Sequence, residues 1–333
     1  MTEIIKLDKL DRKILLHLDR NARMPSSKIG KKLRISREVV DYRVNRLIRK
    51  GVIKKFYTHI ASHKLSYTQY KLYLKLKGLD ANQENDLIEY FNKNENVIWV
   101  GSCDGVYDLI VTLTQTDVYK LNNIIQDCFR RYDSYFISKD LTISTRTYNC
   151  LNSFLGWEIE YEKPFLFGKE KGFLTLDEKD MELLKVLANN ARMPIVDLAK
   201  KMKLTSGAVI YRMKGLEKKG IIDRYSCLLD VSKLGYVFCK VFLTLHFIDR
   251  KKENELHQFC LQHKNITLFL YCMGHWDFEI NIKIDSMPAF HGLLKEIKTR
   301  FSEIIKECES VVISTEHKFN RFPGSYPSNL RIV

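Results

Sequence analysis

The chain has 333 residues, 45% of them apolar and 11% aromatic, which fills two to four cores and excludes a disordered chain. Lys and Arg exceed Asp and Glu by 15, which points to a polyanionic partner; the excess is local, net +11 over residues 7–60 and net +4 over 176–229. Eight scattered cysteines without a CxxC pair, no N-terminal signal pattern and no long apolar run read as a reduced, cytoplasmic protein that does not span a membrane.

From the start of the chain, Asp8 and Asp11 mark a helix entry, and Leu10, Ile14, Leu15 and Leu18 recur at helical spacing to about residue 20. Pro25 ends that run. A second helix fits 26–33. Ser36 caps a third, with Val40, Val44 and Leu47 as its apolar stripe and Gly51 as its stop. This is helix-turn-helix order, and Lys54 to Ile60 read as the strands of a wing. A βαββαβ pattern follows: a half-exposed strand at 70–76, a helix at 82–94, strands at 97–103 and 107–114, a helix at 117–132 and a strand at 136–145.

Residues 7–67 and 176–236 then prove to be one sentence written twice, at an offset of 169, with 22 of 61 positions identical and no gap. The register persists, since Cys103, Gly105 and Asp108 fall on Cys272, Gly274 and Asp277. The predicted organisation is α+β, with two winged helix-turn-helix units (1–62 and 176–231) alternating with two ferredoxin-like βαββαβ units (63–148 and 232–320). Segment 149–175 is a linker, in part too apolar to hang free (Phe154, Leu155, Trp157, Phe165), and 321–333 is a tail with Pro323, Gly324 and Pro327.

A recognition helix buries one stripe and offers polar side chains, chiefly from its first turns, to base edges. In the helix after Ser36 these are Ser36, Arg37, Glu38, Asp41, Tyr42 and Asn45, while Arg43, Arg46, Arg49, Lys50, Lys54 and Lys55 suit phosphate contact. The second copy offers Thr205, Ser206, Ile210, Tyr211, Arg212 and Lys214. It is the weaker candidate: Gly207 and Gly215 replace Glu38 and Arg46, and Ile210 replaces Asp41. His257, Cys260 and His263 share a spacing of three, but a fourth ligand is not evident and packing explains them better. No metal or cofactor is expected.

The pattern LDxxDxxIL, NARMP, Ser36 to Gly51 with Tyr42-Arg43 and Arg46-Leu47, and Gly105-Val106-Tyr107-Asp108 resembles the leucine-responsive regulatory protein (Lrp/AsnC) family, in a tandem form similar to archaeal ones. The resemblance implies DNA binding by the winged units. It also implies pairing of the βαββαβ units, called RAM domains, within or between chains, and an amino acid or other small effector near that pairing surface. The implied effector residues are Gly105, Tyr107, Asp108, Gly274, Trp276 and Asp277; ordinary turn chemistry accounts for the Gly and Asp equally. The expectation is a sequence-specific, non-enzymatic transcription regulator acting on double-stranded DNA. Two alternatives stand beside it: a siroheme-decarboxylase-like enzyme on the same architecture, disfavoured because the histidines are scattered and the charge lies in the winged units, and an effector sensor without DNA binding.

Overall fold

A computed structural model describes residues 3–156, 165–167, 176–246 and 250–322. The first unit contains α1 (Lys9–Arg20), α2 (Ser26–Leu33) and α3 (Arg37–Arg49), followed by β1 (Ile53–Ile60). Its ends follow the sequence signals. Asp8 and Asp11 form a reciprocal capping box, and Ser36 Oγ accepts the Val39 amide. Ile14, Leu15, Leu18, Ile29, Val40, Val44 and Leu47 are buried together. Next come β2 (Thr68–Leu76), α4 (Ala81–Lys93), β3 (Val97–Gly105), β4 (Leu109–Gln115), α5 (Val118–Tyr132) and β5 (Phe136–Asn149), with the short β6 (Phe165–Phe167) beyond them.

The second half repeats the order with α6 (Glu178–Asn189), α7 (Ile195–Met202), α8 (Ser206–Lys218) and β7 (Ile222–Leu229). Then follow β8 (Val237–Leu245), α9 (Arg250–Gln262), β9 (Ile266–Met273), β10 (Phe278–Ile284), α10 (Met287–Arg300) and β11 (Ile305–Phe319).

The two halves interlock. β1 does not fold into a wing of its own unit, as the sequence suggested, but pairs antiparallel with β7 of the other copy. Tyr57 lies opposite Ser226, its own counterpart (226 − 57 = 169), so an approximate dyad passes through this two-stranded ribbon. The same dyad relates the β sheets: Val312 pairs with Asp104 exactly as Ile143 pairs with Met273, each member shifted by 169. The order β5-β2-β4-β3 of one half joins β11-β8-β10-β9 of the other through β3–β11 and β5–β9, so eight antiparallel strands close into a barrel. Closure leaves neither half with a free edge in that ring.

α4, α5, α9 and α10 cover the outside. Phe91, Leu121 and Phe129 pack on Tyr70, Leu72 and Val111, and Leu256, Phe259 and Phe290 pack on Val241, Leu243 and Ile280. The other face of every strand therefore turns into the barrel. Lys71 and Tyr73 of β2 are buried there, so the half-exposed strand read from alternation has its polar face enclosed rather than solvated. Phe154 and Leu155 of the linker join the first winged core, and Phe322 packs edge-on against Tyr67. Trp157, Pro323, Gly324 and Pro327 lie outside the described residues.

Candidate nucleic-acid interface and a central cavity

α3 presents Ser36, Arg37, Glu38, Tyr42, Asn45, Arg49 and Lys50 on its exposed side, with Tyr42 62% exposed. Arg37 Nε donates to Asp41 Oδ2 at 3.3 Å, an i,i+4 pair on the open surface that holds the guanidinium near the first turn. Glu38 at the helix N-terminus is held below its ordinary carboxyl range by its own amide and Ser36. α8 exposes Thr205, Ile210, Tyr211 and Lys214, with Ser206 half-buried. Tyr211 is 80% exposed.

Three of the cations assigned to phosphate, Arg43, Arg46 and Lys55, and Arg212 of the second copy are committed elsewhere. Arg43 Nη1 donates to Asp8 at 2.6 Å and Asp11 at 2.8 Å, and Arg46 Nη2 donates to the buried Asp11 at 2.5 Å. Arg212 repeats this with Asp177 and Asp180 at 2.6 and 2.7 Å. These guanidiniums tie the recognition helix to the capping carboxylates of the first helix, so their charge is spent inside the unit. Lys55 is covered by the C-terminal segment, donating to Asn189 Oδ1 and to the Phe319 carbonyl; burial, then Arg321, pushes its ammonium down to about 8. Lys54, more exposed, lies 3.4 Å from Asp230.

The two turns form at the end of the barrel far from the ribbon. Gly105 and Gly274 have φ of +137° and +144°, and a Cβ there would sit 2.7 Å from the Ser310 carbonyl and 2.6 Å from the Leu141 carbonyl of the opposing half. Asp108 accepts the Leu76 amide at 2.7 Å and Lys75 at 2.9 Å, and Asp277 accepts the Leu245 amide at 2.8 Å. Tyr107 and Trp276 are buried in the barrel with ring centroids 5.7 Å apart, and Tyr107 donates its hydroxyl to Asp140 at 2.7 Å. The structure thus brings Tyr107 and Trp276 together, while each turn carboxylate is engaged by a strand of its own half.

His257, Cys260 and His263 follow packing: His257 Nδ1 lies 3.1 Å from the Tyr271 hydroxyl, Cys260 is buried, and His263 accepts the Asn265 amide. No helix among the described residues is long and apolar enough to cross a membrane.

What the sequence reading missed is a cavity of about 140 Å³ between the ribbon and the near mouth of the barrel. Its walls carry Lys71, Lys240, Lys283, Arg224, Arg321 and His59, against Asp19 and Glu316. His59 therefore converges with cations from outside the winged units, where the sequence places the excess charge, because ribbon, barrel and C-terminal segment meet on the dyad. At the barrel mouth, Lys71 and Lys240 both donate to Glu279 at 2.8 Å. Burial would raise the Glu279 carboxyl, but Lys240 and Lys71 outweigh it and hold it at about 2; burial keeps Lys71 near 8 despite that attraction. Burial also lowers Lys283, and holds His59 well below the usual imidazole range, hence neutral. The signal that could have exposed this site is the strand lysine repeated at Lys71 and Lys240.

Comparison with known proteins agrees with this architecture. The winged helix-turn-helix DNA-binding family matches residues 7–54 and 176–223. The HTH-type transcriptional regulator LrpA of Pyrococcus horikoshii is 43% identical over 61 residues, 18% of this chain and 43% of LrpA's length. An HTH-type transcriptional regulator of Pyrococcus abyssi is 30% identical over 131 residues, 39% of this chain and 80% of that protein. In fold, the crystal structure of the siroheme decarboxylase NirDL superposes with a TM-score of 0.62 at 11% identity, covering 95% of this chain and 94% of that one.

Proposed function

The chain belongs to the Lrp/AsnC family of HTH-type transcriptional regulators, and from that premise we propose that it is a sequence-specific DNA-binding regulator in which one chain does the work of a dimer. The observation that carries the proposal is the face of α3: a capped N-terminal turn offering Ser36, Arg37, Tyr42 and Asn45, backed by a buried stripe. Because the ribbon and the closed barrel join the halves within the chain, α3 and α8 are presented as an unequal pair. A single asymmetric operator follows. An effector at the two turns would be recognised by groups around them, since Asp108 and Asp277 are occupied.

The experiment is selection of bound duplexes from a random pool, with Arg37→Ala and Tyr42→Ala beside the wild type, followed by footprinting. Altered base preference and one protected stretch without dyad symmetry support the reading. An inverted repeat of twice the reach would mean that two chains act together. No affinity for duplex at low salt would leave an effector sensor without DNA binding.

A second reading, catalysis on this architecture, draws on the basic cavity and on the whole-chain likeness in fold to NirDL. NirDL was crystallised with an iron-uroporphyrin analogue. The cavity here, about 140 Å³, is below the roughly 300 to 1,000 Å³ of sites for drug-sized ligands, and a tetrapyrrole is a large ligand on that scale. Regulation without catalysis is therefore the reading we put first. Spectral titration with an iron porphyrin tetracarboxylate separates the two: a saturable Soret shift favours catalysis.

A further inference from the structure

We propose that the cavity between the ribbon and the barrel mouth binds a compact small-molecule anion carrying about two negative charges, a dicarboxylate or a phosphate. The proposal is independent of whether the chain binds DNA. It begins with charge. Five cations, Lys71, Arg224, Lys240, Lys283 and Arg321, face Asp19 and Glu316 in the wall and Glu279 beneath it, which among the described residues leaves an excess of two positive charges. The acids are also turned to other donors. Asp19 accepts the Ser226 hydroxyl and the Asn152 amide, and Glu316 accepts Trp99 Nε1 at 2.8 Å.

The cations that remain have weak company. Lys283 Nζ reaches Asn152 Oδ1 at 3.3 Å and otherwise lies near the faces of Phe154 and Phe238 at 5.5 and 6.0 Å. Arg321 stacks on Phe319 and Tyr57 with its Nε buried and without a hydrogen-bond partner, and Arg224 Nε is likewise orphaned. Independent of charge, Thr147 is 4% exposed, lines the cavity, and its hydroxyl has no partner. Buried polar atoms are ordinarily satisfied, and three residues of this wall, Arg224, Arg321 and Thr147, each carry a buried donor that is not. Carboxylate or phosphate oxygens meet both needs, since they accept from guanidinium, ammonium and hydroxyl together. The volume admits a molecule of about benzene size.

The cavity also lies where a ligand would touch both halves. Tyr57 and Arg224 come from the ribbon, Lys71 and Lys283 from the barrel, and Arg321 from the C-terminal segment, so an anion would bridge the winged pair to the body of the protein.

The test is calorimetric titration of the full chain at low ionic strength with malonate and, separately, inorganic phosphate. Lys283→Met and Arg321→Gln are compared with Lys264→Gln on the exposed surface. Saturable binding of one ion per chain is expected for at least one probe, weakened about tenfold or more in both cavity variants and unchanged in the control. Malonate alone would assign a dicarboxylate, phosphate alone a phosphate or phosphate ester. Without ligand, Lys283→Met is expected to raise Tm, since an uncompensated charge is kept at a cost in stability. If Lys283→Met does not fold, Arg321→Gln carries the test. The proposal is overturned by no saturable heat with either probe, by equal affinity in the cavity variants, or by binding of an iron porphyrin alone.

Discussion

Lys71 and Lys240, equivalent positions of the two halves, meet on one atom: each Nζ donates to Oε1 of Glu279 at 2.8 Å from its own side of the dyad. The duplicate position of Glu279 is Ile110, so the second half alone supplies the carboxylate that both lysines share. Two copies of the first half, each with Lys71 and Ile110, would place two ammoniums in that interior without such a partner.

Replacing that carboxylate with the residue of the other copy, Glu279→Ile, is expected to destabilise the chain by at least about 3 kcal/mol in urea unfolding, because it leaves two buried charges uncompensated. The triple variant Lys71→Met, Lys240→Met, Glu279→Ile should recover most of the loss. Equal instability of single and triple variants would show that shape, rather than charge, governs the site.

The pH dependence has a definite sign. Glu279 is held at about 2 against an ordinary 4.5, so its contribution to stability is complete above pH 4.5 and is lost as pH falls toward 2. Between those values the urea midpoint of the wild type should fall more steeply than that of Glu279→Gln. Parallel curves would remove the linkage.

Arg37 and Arg43 stand six residues apart on one helix and should behave oppositely. Arg43→Ala breaks charged hydrogen bonds to Asp8 and Asp11 and is expected to cost about 1–3 kcal/mol of stability. Arg37→Ala, on the open surface, should leave unfolding within about 0.5 kcal/mol and act on DNA affinity or base preference instead.

Tyr42→Ala and Tyr211→Ala test the inequality of the two recognition helices. The first is expected to weaken operator binding more than the second, since α8 offers Ile210 where α3 offers Asp41 and carries Gly207 and Gly215. Electrophoretic mobility shift with a selected duplex reads the ratio directly.

At the far end of the barrel, Gly105→Ala and Gly274→Ala place a methyl against a carbonyl of the opposing half at positive φ. Each is expected to cost more than about 2 kcal/mol, measured by thermal or urea unfolding. An Ala variant of wild-type stability would mean that the turn and the facing strand separate readily.

The helices and their caps were legible in the chain alone, because they depend on residues a few places apart: Asp8 on Asp11, Ser36 on Val39, Val40 on Val44; the duplication was legible as direct identity between the copies. The sequence also located the exposed face of α3, since burying one helical stripe leaves the opposite one outside. Alternation in β2 told that Lys71 and Tyr73 share a face, but not that the face is enclosed. Whether a strand's second face meets water or another sheet depends on partners well over a hundred residues away, as with β3 and β11. For the same reason the tertiary structure alone decided that β1 pairs across the copies, that Arg43 and Arg212 turn inward, and that His59, Arg224, Lys283 and Arg321 surround one cavity. Charges distant in the chain acquire a common function only when the dyad brings their strands together.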